Sequence, residues 1–135
     1  MAQIPQYAST PKVGIGQIST ANTNRDGTGT IGTVFTAGAS GSRIDAIEFQ
    51  ATGTTTAGMV RLFLHDGTNA RMIAEVPVLA LTPSGTVPAW NAIVSSQGMN
   101  NGTIQLPISI PTGWSLRAAT NNAEAFNVVA YGGDF

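Results

Sequence analysis

Two short runs of alternating apolar and polar side chains, Met59–His65 and Arg71–Leu81, flank the turn-forming sequence Asp66-Gly67-Thr68-Asn69 and predict a β-hairpin. Take Gly67, Thr68 and Asn69 as a three-residue loop, with Asn69 in the left-handed region that asparagine tolerates. Leu64 then faces Met72, Leu62 faces Ala74 and Val60 faces Val76, all apolar. On the opposite side Arg61 meets Glu75, Phe63 meets Ile73 and His65 meets Arg71. A slip of one residue sets Leu64 against Arg71 and Val60 against Glu75, and the hydrophobic pattern rejects it.

Nowhere does an apolar pattern recur at helical spacing, so the whole chain reads as all-β. Besides the hairpin arms, candidate strands are 12–20, 29–37, 43–52, 103–110, 114–120 and 125–131, separated by Gly, Pro and Asn clusters. Eight such strands predict a β-sandwich, jelly-roll-like. Ile104, Leu106, Ile108 and Ile110 share one face of their strand, and Pro107 places that strand at an edge or a bulge. Trp114, Leu116 and Ala118 point one way, and Phe126, Val128 and Ala130 point inward. The stretch from Leu81 to Thr103 is a long excursion with room for a short strand at Asn91–Ser95. Residues 1–11, bracketed by Pro5 and Pro11, lack alternation and read as an extended arm or an unstructured end, leaving 12–135 as the sandwich domain.

Composition narrows the function. The 135-residue chain has no cysteine and one histidine, His65, which excludes disulfides, thiolate catalysis, Cys-based zinc sites and a His-rich metal cage. Its one lysine, Lys12, and its scattered arginines form no basic patch, so no nucleic-acid partner is expected. No apolar run is long enough to span a bilayer, and the N-terminus lacks the pattern of a secretory signal. No membrane partner is expected, and synthesis in a cytoplasm is. Only 10% of residues are charged, so uncharged side chains cover much of the surface, as suits burial against other copies or a scaffold.

The motifs with chemical potential do not hold together. Gly27-Thr28-Gly29-Thr30-Ile31-Gly32 matches a dinucleotide fingerprint, but β-favouring residues follow where a helix is required. Gly38-Ala39-Ser40-Gly41-Ser42 lacks the final glycine of a nucleophile elbow. His65 reads as a turn residue without an orienting partner, and Asp66 and Asn69 as turn formers and not calcium ligands. Asp45, Glu48, Glu75 and Glu124 give no catalytic carboxylate pair. Asn101-Gly102-Thr103 reads as a turn despite matching a glycosylation sequon. Trp90 and Trp114 read as core or interface residues, with a sugar-stacking platform as the alternative. Neither an enzyme nor a cofactor is expected.

The run from Met59 to Asn69, then Leu106-Pro107, Pro111-Thr112-Gly113-Trp114-Ser115-Leu116-Arg117-Ala118 and the run from Asn122 to Val128, resembles small structural proteins of tailed bacteriophages. Within that group it is most similar to head decoration, or cement, proteins, over roughly residues 44–135. The resemblance implies a sandwich or jelly-roll body that oligomerises, often as a trimer, on the outer capsid of a virion, with the phage major capsid protein as partner. A tail or fibre-associated protein and a carbohydrate- or receptor-binding module are the alternatives. On this reading Ile4, Pro5, Tyr7 and Pro11 form the capsid-attachment strap, because prolines reduce the entropy lost when a segment orders on a surface. Val87, Pro88 and Trp90 are expected at a subunit interface, where buried tryptophans are enriched.

Overall fold

The computed structural model describes residues 8–95 and 106–135. Among them are nine strands and no helix: β1 (Thr10–Ile18), β2 (Gly32–Thr36), β3 (Ser42–Ala51), β4 (Gly58–His65), β5 (Ala70–Val78), β6 (Asn91–Ser95), β7 (Ile108–Ile110), β8 (Ser115–Thr120) and β9 (Phe126–Asp134). They form two antiparallel sheets. Sheet A has the order β1-β9-β3-β6, with β7 also on β3, and sheet B has the order β2-β8-β4-β5. The short strand expected at Asn91–Ser95 is β6. It and β7 lie end to end along one side of β3, so the position of one sandwich strand is filled by two pieces.

The inward residues of the two sheets make the core. Ile44, Ile47, Phe49, Phe126, Val128 and Ala130 of sheet A meet Val60, Leu62, Val76, Leu116 and Ala118 of sheet B, all buried. These are the apolar faces that the period-two pattern assigns to β4, β8 and β9, and packing face to face is how such sheets remove them from water.

Along the β1–β2 side the sheets close tightly. The inward positions of β1 include Gly14 and Gly16, and a Cβ at Gly14 would lie 2.3 Å from the Val34 carbonyl oxygen. Glycine here is a packing requirement: it lets one backbone lie on another. A polar cluster seals the same side. Lys12 Nζ donates to the Thr36 carbonyl and pairs with Asp134 at 3.3 Å, while Asp134 also accepts from the buried Ser42 hydroxyl, whose oxygen takes the Gly38 N–H at 2.8 Å. The Ser42 hydrogen bond, aided by Lys12, holds the Asp134 carboxyl below the usual aspartate range.

Two expectations are corrected. The hairpin pairs as expected from Val60↔Val76 through Leu62↔Ala74, but then shifts, giving Phe63↔Met72, Leu64↔Arg71 and His65↔Ala70 and leaving Ile73 as the extra residue of a bulge. The cause is the turn. Asp66 Oδ1 accepts the N–H groups of Thr68 and Asn69 at 2.9 and 2.7 Å, and Gly67 takes the positive φ (97°) expected of Asn69. The loop therefore holds four residues, and Leu64 opposes Arg71, tolerable because Arg71 is exposed. The second correction moves the strand boundary. β1 begins at Thr10, with Pro11 paired to Gly133 and the Ser9 N–H donating to Asp134, so residues 9–11 belong to the sheet edge and not to an arm.

Gly14→Ala should destabilise the fold by about 1–3 kcal/mol through overpacking. Gly53→Ala, where nothing lies within 4 Å, should change stability by less than about 0.5 kcal/mol. Urea unfolding of both variants checks the contrast.

Candidate functional site

The outer faces of the two sheets differ in kind. Over sheet B, residues 19–31, which join β1 to β2, fold down as a cover. Asn22 braces this segment: its N–H donates to the Thr120 carbonyl at 2.8 Å, its side-chain amide donates to the carbonyls of Thr28 and Thr30, and its Oδ1 accepts the Asn24 N–H. Gly27 and Gly29, at φ 90° and 85°, let the chain pass against Ala70 and the Asn22 side chain. The glycines that resemble a phosphate-binding loop thus serve this cover, and β2 follows them where a helix would be needed.

Under the cover lies Arg61, whose residue exposure is 1%. Its Nε donates to Glu75 at 2.8 Å, one terminal nitrogen to the Asn22 carbonyl at 3.1 Å and the other to Asn121 Oδ1 at 3.1 Å. Arg25, from the cover, reaches the same Glu75 oxygen at 2.6 Å. Partial burial works against the Glu75 charge, but the hydrogen bonds from Arg61 and Arg25 outweigh it and hold the carboxyl below the usual glutamate range. Beside this cluster Phe63, Ala70 and Ala119 are buried with Ile31 and Met72 packed on them. The Arg61–Glu75 pairing read from the hairpin register is therefore real, but it belongs to a sealed structural centre.

Among the described residues nothing folds over the outer face of sheet A. Register places Val13, Tyr131 and Ala46 in one row and Ile15, Val129, Glu48 and Ile93 in the next. Val13, Ile15, Ile93 and Tyr131 are 57, 75, 56 and 41% exposed, four of the six large apolar side chains exposed among the described residues. Glu48 is the one charged side chain in these two rows and accepts the Tyr131 hydroxyl at 3.0 Å, a bond that raises the tyrosine pKa. A depression of about 460 Å³ runs between Ile15–Gln17 of β1 and Asn127–Val129 of β9. Sequence reasoning missed this face because its apolar residues come from three strands far apart in the chain.

The residues singled out from sequence do not converge. Ile4, Pro5 and Tyr7 lie outside the described residues, and Pro11 sits in β1. Val87 and Pro88 are exposed beside a Ser84–Val87 turn. Trp90 is 7% exposed within the single chain and meets Phe126 edge-on at 5.7 Å, so its ring packs in this chain's core, one of the two roles expected of it, while it also lines a shallow depression with Leu79 and Ile93. Trp114 is half-buried against the same core. His65 Nδ1 accepts the Gly67 N–H and Asp66 caps the same turn, so both shape the hairpin loop. Asp45 pairs with Arg43, and Glu124 Oε1 accepts the N–H and hydroxyl of Thr56 while its Oε2 is buried without a partner. Among the described residues no three Asp, Glu or His side chains gather as a metal site. The sequon at Asn101 and the strand start at Thr103 lie outside the described residues. In comparisons with protein-family models and with curated proteins, the chain matches none.

Removing a partner from a buried charge pair is costly, so Arg61→Ala should lower stability by about 3–5 kcal/mol in denaturant unfolding. Glu75 has a folded-state pKa below its unfolded value. Its ionised form therefore stabilises the fold above about pH 4.3, and that contribution fades as pH falls through the folded value. The stability gap between wild type and Glu75→Gln should be full at pH 7 and close on acidification, measured by urea unfolding across pH. Trp90→Ala should cost about 3–5 kcal/mol of fold stability, which thermal unfolding of the single chain would show.

Proposed function

We propose that the protein is a non-enzymatic structural component of a bacteriophage virion, a decoration or cement protein on the outer capsid surface that binds the major capsid protein and other copies of itself. The observation that carries this reading is the open apolar face of sheet A on a low-charge sandwich, a surface suited to protein contact and not to a small substrate. The strand orders support the jelly-roll expectation. Counting β6 and β7 as one, successive strands cross between sheets except at the β4–β5 hairpin, as in a chain of antiparallel pairs wrapped into two sheets. The sequence resemblance to head decoration proteins supplies the location and the expected trimer. In this role the protein binds the assembled lattice and not free subunits, so binding free energy adds directly to the resistance of the shell to disassembly.

Cryo-electron microscopy of the particle tests the reading. Density for this fold on the capsid, arranged with the lattice symmetry, is the expected result; density confined to the tail would favour the tail-associated alternative and overturn the head assignment. Particles lacking the chain should release their genome at a lower temperature than complete particles.

A further inference from the structure

We propose that Asp66-Gly67, at the tip of the β4–β5 hairpin, is a site of self-modification, where the main chain rearranges through a succinimide to isoaspartate with His65 as the general base. The chemistry needs a carboxyl beside a backbone nitrogen that no side chain shields, and Gly67 supplies that nitrogen. Its N–H already donates to His65 Nδ1 at 3.1 Å, within the reach of a general base for the proton it takes. Asp66 Oδ1 accepts the Asn69 and Thr68 N–H groups at 2.7 and 2.9 Å, the distances of a preformed oxyanion hole. Base, nucleophile, carboxyl and oxyanion donors thus come together within residues 65–69.

The step runs through the neutral carboxyl. Gly67 N attacks Asp66 Cγ and passes its proton to His65 Nδ1, while the two N–H groups hold the negative charge that develops on Oδ1. Oδ2 leaves as water, taking the carboxyl's own proton and the one returned by the imidazolium, and a succinimide ring remains. Water then adds to the main-chain carbonyl carbon of Asp66 and breaks its bond to Gly67 N, so that the chain runs on through Cγ. No reactant other than water is needed. The Asn69 and Thr68 N–H groups also favour the ionised carboxyl and hold it below the usual aspartate range, which keeps the reactive form scarce and the change slow. Isoaspartate adds the Cβ atom to the loop backbone and takes Oδ1 away from both N–H groups, so the turn that sets the Ile73 bulge is lost.

Asp26-Gly27 is a matched control within the same chain. Gly27 takes φ 90° where Gly67 takes 97°, and Asp26 Oδ1 likewise accepts an N–H from two residues on, that of Thr28 at 3.1 Å. The chain's one imidazole, however, has its Nδ1 on Gly67, and among the described residues the Gly27 N–H has no such base.

The rearrangement does not rest on the proposed function, and the purified full chain tests it alone, aged at neutral pH and physiological temperature and mapped by electron-transfer fragmentation of its peptides. Isoaspartate should accumulate at Asp66 at least about tenfold faster than at Asp26. His65→Ala should slow the change at Asp66 by about tenfold and leave Asp26 as it was, and added imidazole should restore part of the loss at Asp66. Equal or slower rearrangement at Asp66 than at Asp26 in wild type would overturn the proposal. So would a rate at Asp66 that His65→Ala does not lower, or a loss that imidazole does not restore.

Discussion

A guanidinium that is almost wholly removed from water has to be surrounded by acceptors, and around Arg61 that requirement organises the outer side of sheet B. Its partners come from three places: Glu75 on β5, Asn121 after β8, and the Asn22 carbonyl in the segment between β1 and β2. Only with that segment folded down is the charge satisfied, and only then do Phe63 and Ala119 leave solvent. The ion pair is weak as a source of net stability, since desolvation offsets much of its attraction, but breaking it exposes a buried charge to the full penalty. It therefore acts as a latch on the cover more than as a prop for the core.

Among the described residues the opposite sheet has no counterpart to the cover. Its outer face carries Val13, Ile15, Ile93 and Tyr131 in the open, and its β1 edge is drawn against β2 by the glycines that face inward. One sheet face is covered from within the chain, and the other carries exposed apolar side chains. A molecule with so few charges has little else with which to discourage association at that face, and that economy fits a protein whose work is done in an assembly.

What could be read from sequence was what depends on local alternation. The short strand at Asn91–Ser95 was visible, and the inward faces of β4, β8 and β9 follow from period two, as does the pairing of Val60 with Val76 and of Arg61 with Glu75, which the bulge restores beyond a turn that differs from the expected one. The bulge at Ile73 did not, because the choice between Gly67 and Asn69 for the positive φ rests on how Asp66 bonds the turn. Trp90 could be read only as core or interface, because it sits in a stretch without alternation, where the tertiary contact with Phe126 decides its side. The cover was equally illegible: its glycines and asparagines read as loop, and nothing local says that the loop lies over Arg61.

The asymmetry of the two outer faces is the centre of this account, and thiol labelling measures it most directly. Ala119 lies beneath the cover and Val129 on the open face, and the chain has no cysteine of its own. Val129→Cys should react readily with a thiol reagent in the folded protein, whereas Ala119→Cys should react only through unfolding or opening of the cover, orders of magnitude more slowly. Comparable fast labelling at both positions would contradict the account.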